Sequence, residues 1–234
     1  MHKSQIYPEV MQRVVERRGK PHLYEVLDAP RTALLVIDMQ NNWVMDGQPG
    51  YAPGIPEIVP NINKLAAAFR QAGGMVVWVQ MNGSREVTAK WQRWREFFPT
   101  KELFEKWADA LTPGKIGYAL WQGLDVKPGD EVVEKNRFSA FIQGSSDIEA
   151  RLKKQGVDTV VVTGTASNVC CESTARDANM LNYKTVFVAD GNAGRSDAEH
   201  NATLSNLFGL FADVMTTDEV IARLKPAAKA QAAE

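Results

Sequence analysis

The sequence predicts an α/β fold: three layers, with a six-stranded parallel sheet flanked by helices. Three observations predict it. Short apolar runs alternate with longer amphipathic stretches, the pattern of strand–helix–strand units. The short runs are apolar at successive positions rather than every second one, as strands covered on both faces require. No Ser/Gly-rich or charged linker divides the 234 residues, which suits one large domain.

The strands are expected at Ala33 to Asp38, Met75 to Gln80, Glu131 to Glu134, Thr159 to Thr163, Thr185 to Ala189 and Ala212 to Met215. Helices are expected near 56–72, 145–155, 169–182, 197–210 and 217–224, with Gly73, Gly74, Gly156 and Asn182 where helices end. The stretch from Asn82 to Asp130 is too long for a simple crossover and carries Trp91, Trp94, Phe97, Phe98, Phe104, Trp107 and Trp121. Small helices over one edge of the sheet are expected there. Pro8 to Arg18 reads as a helix whose stripe of Ile6, Val10 and Val14 packs on a neighbouring subunit. The organisation expected is a helical N-terminal extension over 1–30, one domain over 31–225 and a flexible tail over 226–234.

Lysine and arginine number 27 against 28 aspartates and glutamates, and the two signs are interspersed. That balance argues against a nucleic-acid or anionic-membrane surface and suits a small, neutral substrate. The only two cysteines are adjacent, which cannot make a secreted disulfide framework and favours a reducing compartment. With no apolar run long enough to span a bilayer and no signal-type start, a cytoplasmic location is expected.

In open parallel sheets ligands bind at the carboxyl ends of the strands. Asp38 closes the first strand, Lys135 follows the third and Cys170 follows the fourth. Taken alone, Asp38 is a turn former and Lys135 a solvated charge; their convergence on a cysteine would be chemistry. The carboxylate would take the thiol proton while the ammonium keeps the carboxylate ionised. In "VVTGTASNVCCEST", Cys170 stands where a loop turns into a helix, a place that lowers a thiol pKa. Cys171 is turned about 100° away and shares a small apolar stripe with Ala175 and Ala178, so it is assigned to packing.

"LLVIDMQNNW", "EKNRFSAF" and "VVTGTASNVCCESTARDA" resemble, in that order, three signature segments of the isochorismatase-like cysteine hydrolase superfamily. The resemblance runs from about Arg31 to Arg223 and implies a Rossmann-like sheet, with 31–225 as the hydrolase domain. It implies a catalytic triad of Asp38, Lys135 and Cys170, the first thiol being selected by the N-x-C pattern at Asn168-Val169-Cys170. It further implies a non-proline cis peptide at Thr165–Ala166, with the N–H groups of Ala166 and Cys170 facing an oxyanion. Nicotinamidases of the superfamily carry metal-binding histidines after the second strand, where this chain has "VQMNGSREV". His2, His22 and His200 lie far apart in sequence, so neither a metal nor another cofactor is expected.

The segments "ASNVCCESTARDA" and "NATLSNLFGLFADV" look most like ureidoacrylate and related ureide amidohydrolases. The implied reaction is cleavage of a C–N bond in a small ureido or carboxamide compound, of the ureidoacrylate, biuret, triuret or N-carbamoyl amino acid type. It passes through a thioester and releases ammonia or an amine. Asn42, Trp43, Asn82, Phe138 and Phe141 are candidate pocket residues, and a homo-oligomer, dimer or tetramer, is expected. The alternative is a non-catalytic small-molecule-binding member of the fold. A dinucleotide site would need a glycine-rich fingerprint, and a redox protein a C-x-x-C pair; neither is present.

Overall fold

Six apolar runs form six parallel strands, seen in a computed structural model that describes residues 1–226. The tail expected over 226–234 therefore falls, from 227 on, outside the described residues. The strands of the main sheet are β2 (Thr32–Ile37), β3 (Met75–Met81), β4 (Glu131–Lys135), β5 (Thr159–Thr165), β6 (Lys184–Ala193) and β7 (Asp213–Met215). They lie in the order β4-β3-β2-β5-β6-β7. A second, two-stranded sheet pairs β1 (Leu27–Asp28) with β8 (Leu224–Lys225). Two-residue strands carry no periodicity, so nothing in the sequence announced this one.

Because strand side chains alternate, the central strands feed two cores. Leu34, Val36, Val76, Trp78, Val161 and Val186 face one side. There they meet Ile62, Leu65, Ala66 and Phe69 of α3 (Val59–Ala72) and Val220 of α10 (Thr217–Arg223). Leu35, Ile37, Val77, Val79, Val160 and Val162 face the other. This second face is covered by α7 (Ile148–Lys154), α8 (Glu172–Met180), α9 (Asp197–Leu210) and α1 (Pro8–Arg18). The expectation of strands apolar on both faces fails at β4, where alternate residues are exposed because β4 is the sheet edge.

The α1 helix forms where expected, but its apolar stripe packs within its own chain. Val14 is fully buried, and Arg18 lies over the Phe208 ring of α9 at 4.9 Å. Between β3 and β4 run α4 (Arg85–Ala89), α5 (Gln92–Arg95) and α6 (Lys101–Ala110), following the short α2 (Asn41–Val44) after β2. Trp94, Phe104 and Leu111 are buried there with Met81. This aromatic segment is anchored next to the carboxyl ends of β2 and β3. Among the described residues no helix is long and apolar enough to cross a membrane.

Gly164, near the end of β5, is required by close approach. Its φ is +114°, and a Cβ there would stand 2.1 Å from the Ile37 carbonyl oxygen. This contact sets β5 tightly against β2 one residue before Asp38.

Candidate active site

Asp38, Lys135 and Cys170 all lie beyond or at the carboxyl ends of β2, β4 and β5, and the fold brings them together. Asp38 adopts a left-handed backbone, φ 53°, with its N–H donating to the Val79 carbonyl at 2.8 Å. That turn lifts its side chain out of the strand alternation. Lys135 reaches back from the edge strand and donates to Asp38 Oδ2 at 2.8 Å, the Arg137 carbonyl at 3.2 Å and Met81 Sδ at 3.5 Å. All three of its donors are thus engaged. Both members of the pair are 0% exposed, so Lys135 is a buried ion-pair partner rather than a solvated charge. Asp38 Oδ1 has no well-aligned partner, and the Cys170 thiol lies in contact with the same carboxylate.

Burial raises the proton affinity of Asp38, with Lys135 pulling the other way. The carboxylate is therefore a stronger base than one in water. Burial also works against the Lys135 ammonium, but the Asp38 carboxylate against it, with Cys170 beside, outweighs this, and Lys135 is held protonated. The Cys170 thiol is pushed well up by burial first and by Asp38 second, so the lowered pKa expected from a helix start is wrong for the resting protein. Two physical facts defeat the expectation. The thiol is buried against a carboxylate, and it sits in a short π-helical turn, Ser167–Cys171, rather than at a regular helix end. Cys171 is likewise raised well above the ordinary value, by burial.

The peptide Thr165–Ala166 is cis. The Ala166 carbonyl accepts from the N–H groups of Val169 at 3.1 Å and Cys171 at 3.2 Å, closing the turn. Among the described residues no group accepts from the Ala166 N–H. Ala166 and Cys170 both line a cleft of about 270 Å³. Its walls are aromatic: Trp43, Trp94, Phe98, Trp107 and Phe138, with Trp43 and Trp107 edge to face at 4.9 Å. Arg195 and Glu199 stand on its rim.

Of the candidate pocket residues, Trp43 and Phe138 line this cleft and three others do not. Asn82 is committed elsewhere, donating to Glu134 at 2.9 Å and accepting from the Ser84 N–H at 3.0 Å. Phe141 is buried against the Tyr183 ring, 5.6 Å away. Asn42 is fully buried beneath Gly50, where a Cβ would stand 2.6 Å from its Nδ2. Sequence reasoning missed Arg195 and Glu199, although Arg195 follows the carboxyl end of β6, the position that flagged the other three. It also held the histidines apart. His2 and His200 stack at 4.7 Å because residues 2–7 fold back over α9, while His22 pairs with Asp213 at 3.1 Å. Among the described residues no three His, Cys, Asp or Glu side chains gather to hold a metal ion.

Comparison with known proteins adds to this geometry. The isochorismatase domain model matches residues 32–219. The ureidoacrylate amidohydrolase RutB of Pseudomonas syringae pv. syringae (strain B728a) is 33% identical over 211 residues, covering 83% of this chain and 84% of that protein. A cysteine hydrolase from Pseudomonas syringae pv. phaseolicola 1448A superimposes with a TM-score of 0.77 at 28% identity, covering 87% of this chain and 97% of that one. The N-carbamoylsarcosine amidase from Thermoplasma acidophilum superimposes with a TM-score of 0.62 at 26% identity, covering 80% and 97%.

Proposed function

The chain belongs to the isochorismatase family, and from that membership we propose that it is a hydrolase cleaving the C–N bond of a small ureido or carboxamide compound through a thioester on Cys170. The observation that carries the reading is the buried 2.8 Å Asp38–Lys135 pair against the Cys170 thiol on the cleft floor. A purely binding role would have no use for that pair.

In this mechanism substrate enters between the aromatic walls and expels water. Asp38 takes the Cys170 proton as sulfur attacks the carbonyl carbon, so the thiolate exists only when an electrophile is present. The oxyanion rests on the Ala166 and Cys170 N–H groups. Protonated Asp38 then passes its proton to the departing ammonia or amine. Water, deprotonated by the same carboxylate, cleaves the thioester and restores the thiol. Lys135 never leaves Asp38 and keeps it from holding the proton too tightly.

For substrate class, the support is a rim arginine above an apolar cleft. Ureidoacrylate and N-carbamoylsarcosine, named in two of the similar proteins, are both carboxylates bearing a carbamoyl group. Arg195 would pair with such a carboxylate while the ureide lies over Cys170. The test is ammonia release from purified protein against ureidoacrylate, N-carbamoyl amino acids, biuret, triuret and a simple carboxamide. The carboxylate-bearing ureides should turn over fastest, and Arg195→Met should raise their KM more than it lowers kcat. No release from any of them would sink the reading.

A further inference from the structure

His200 is a fully buried histidine that the mechanism above does not use. Its ring bridges the turn carrying Cys170 and a segment from the far end of the chain. Nδ1 lies 2.7 Å from Ser167 Oγ, and Nε2 lies 3.1 Å from Ser4 Oγ. The proton positions follow from the partners. Ser4 Oγ–H donates to the Ala189 carbonyl at 3.1 Å, so toward Ser4 it is His200 Nε2–H that donates. Nδ1 is then bare and accepts the Ser167 hydroxyl proton. Burial, with His2 beside it, lowers the His200 pKa to about 4, which agrees with a neutral ring.

The far segment is itself pinned at several points. His2 stacks on His200, donates from Nδ1 to Asp197 at 2.7 Å and accepts from the Gly194 N–H at 3.0 Å. The Gln5 N–H donates to Asn201 and the Tyr7 N–H to Ser205, both at 2.9 Å. Every one of these contacts lands on the β6–α9 connection or on α9.

We propose that residues 2–7 and His200 form a brace whose function is to hold Ser167, and with it the Ala166 N–H, in line with the oxyanion. This rests on the reading of Cys170 as nucleophile. Ser167 directly follows Ala166, so its side-chain bond to His200 fixes the plane of the peptide beside the donor. His200 is thus a positioning residue: it is not among the groups lining the cleft and reaches the reaction only through Ser167.

The test compares two reactions of the same thiol. Acylation by 4-nitrophenyl acetate passes through an oxyanion, converting thiol and ester to thioester and 4-nitrophenol. Alkylation by iodoacetamide forms no oxyanion. In the double variant His2→Ala, Ser4→Ala the acylation rate should fall about tenfold or more, while alkylation at pH 8.5 stays within about twofold of the parent. His200→Gln should show the same split if it folds, and Ser4→Thr, which keeps the hydroxyl, should behave as the parent. The double variant, in which neither replaced residue is fully buried, decides the matter. Acylation within about twofold of the parent, or alkylation moving in step with acylation as general loosening would require, overturns the proposal. The nucleophile reading fails separately, if Cys170→Ala still releases 4-nitrophenolate at the parent rate.

Discussion

Cys170 opens onto the cleft, whereas the neighbouring Cys171 turns its Sγ toward the Thr163 carbonyl, 3.9 Å away and fully buried. Cys170→Ala should therefore abolish ammonia release, while Cys171→Val, one heavy atom larger but turned away from the cleft, leaves kcat/KM within a factor of about two. Equal loss in both folded variants would contradict the assignment. Lys135 calls for a different experiment because it is buried. Lys135→Met leaves Asp38 without its counter-charge, so the carboxyl takes up a proton and can no longer receive one. Turnover should drop roughly 10²–10⁴-fold and stability by about 3–5 kcal/mol. Adding Asp38→Asn should return most of that stability without any activity, as urea midpoints would reveal. His200 carries a pH signature. The unfolded chain binds its proton below about 6.5 and the folded protein only near about 4. Stability present above the first value is thus lost as pH falls toward the second, by roughly 3 kcal/mol. The advantage of the parent over His200→Gln should shrink accordingly between pH 7 and 4.5; a constant difference would deny the shift. That Asp38, Lys135 and Cys170 converge, and that the Thr165–Ala166 peptide is cis, was legible because spaced segments carried them. The state of the thiol was not, because its pKa depends on burial against Asp38, and no local pattern encodes that depth.

Elements were legible to within a few residues wherever periodicity was strong. The helix expected from 145 begins at Ile148, because the hydroxyls of Ser145 and Ser146 bond back to the carbonyls of Ser139 and Ala140 and hold a loop instead. The strand β4 was placed correctly but misjudged as central: its alternation of buried and exposed residues is the mark of an edge. The partner of α1 was misassigned for a general reason, since an amphipathic stripe says that it will be covered and not by what. Glycines make the contrast between elements testable. Gly164→Ala forces a Cβ against Ile37 at the tightest contact between β2 and β5, and should cost at least about 3 kcal/mol. Gly209→Ala, in α9 with open space around its Cβ position, should stabilise by about 0.5–1 kcal/mol. Chemical denaturation of the two variants checks both, and a Gly164→Ala protein as stable as the parent would mean that the strands are not held this closely.

The parallel sheet and its two helix layers were predicted from alternation alone, and the order of strands was not, because crossovers of similar length suit several orders. Assembly beyond one chain stands on narrower ground than the sequence suggested. The stripe on α1 is covered by α9, and Trp94 and Phe104 are buried, which leaves Phe97, 85% exposed, as the open aromatic of that segment. We retain a homo-oligomer as a proposal: Phe97→Ser should sediment as a lighter species than the parent at micromolar concentration, and a monomeric parent removes the proposal. The sheet order has one more consequence, for the chain while it is being made. Strand β2 is central, yet its neighbour β5 is synthesised long after it; the hydrogen-bonded pair Leu35 and Thr163 is 128 residues apart. At about 5–20 residues per second the ribosome takes roughly 6 to 25 s to supply that neighbour. Through that interval β2, buried at every position in the folded protein, stands as an edge whose amide groups on the β5 side are unpaired. The aggregation hazard therefore belongs to the nascent chain rather than to the finished enzyme, and recovery of soluble protein should respond to elongation rate and chaperone supply more than to surface charge.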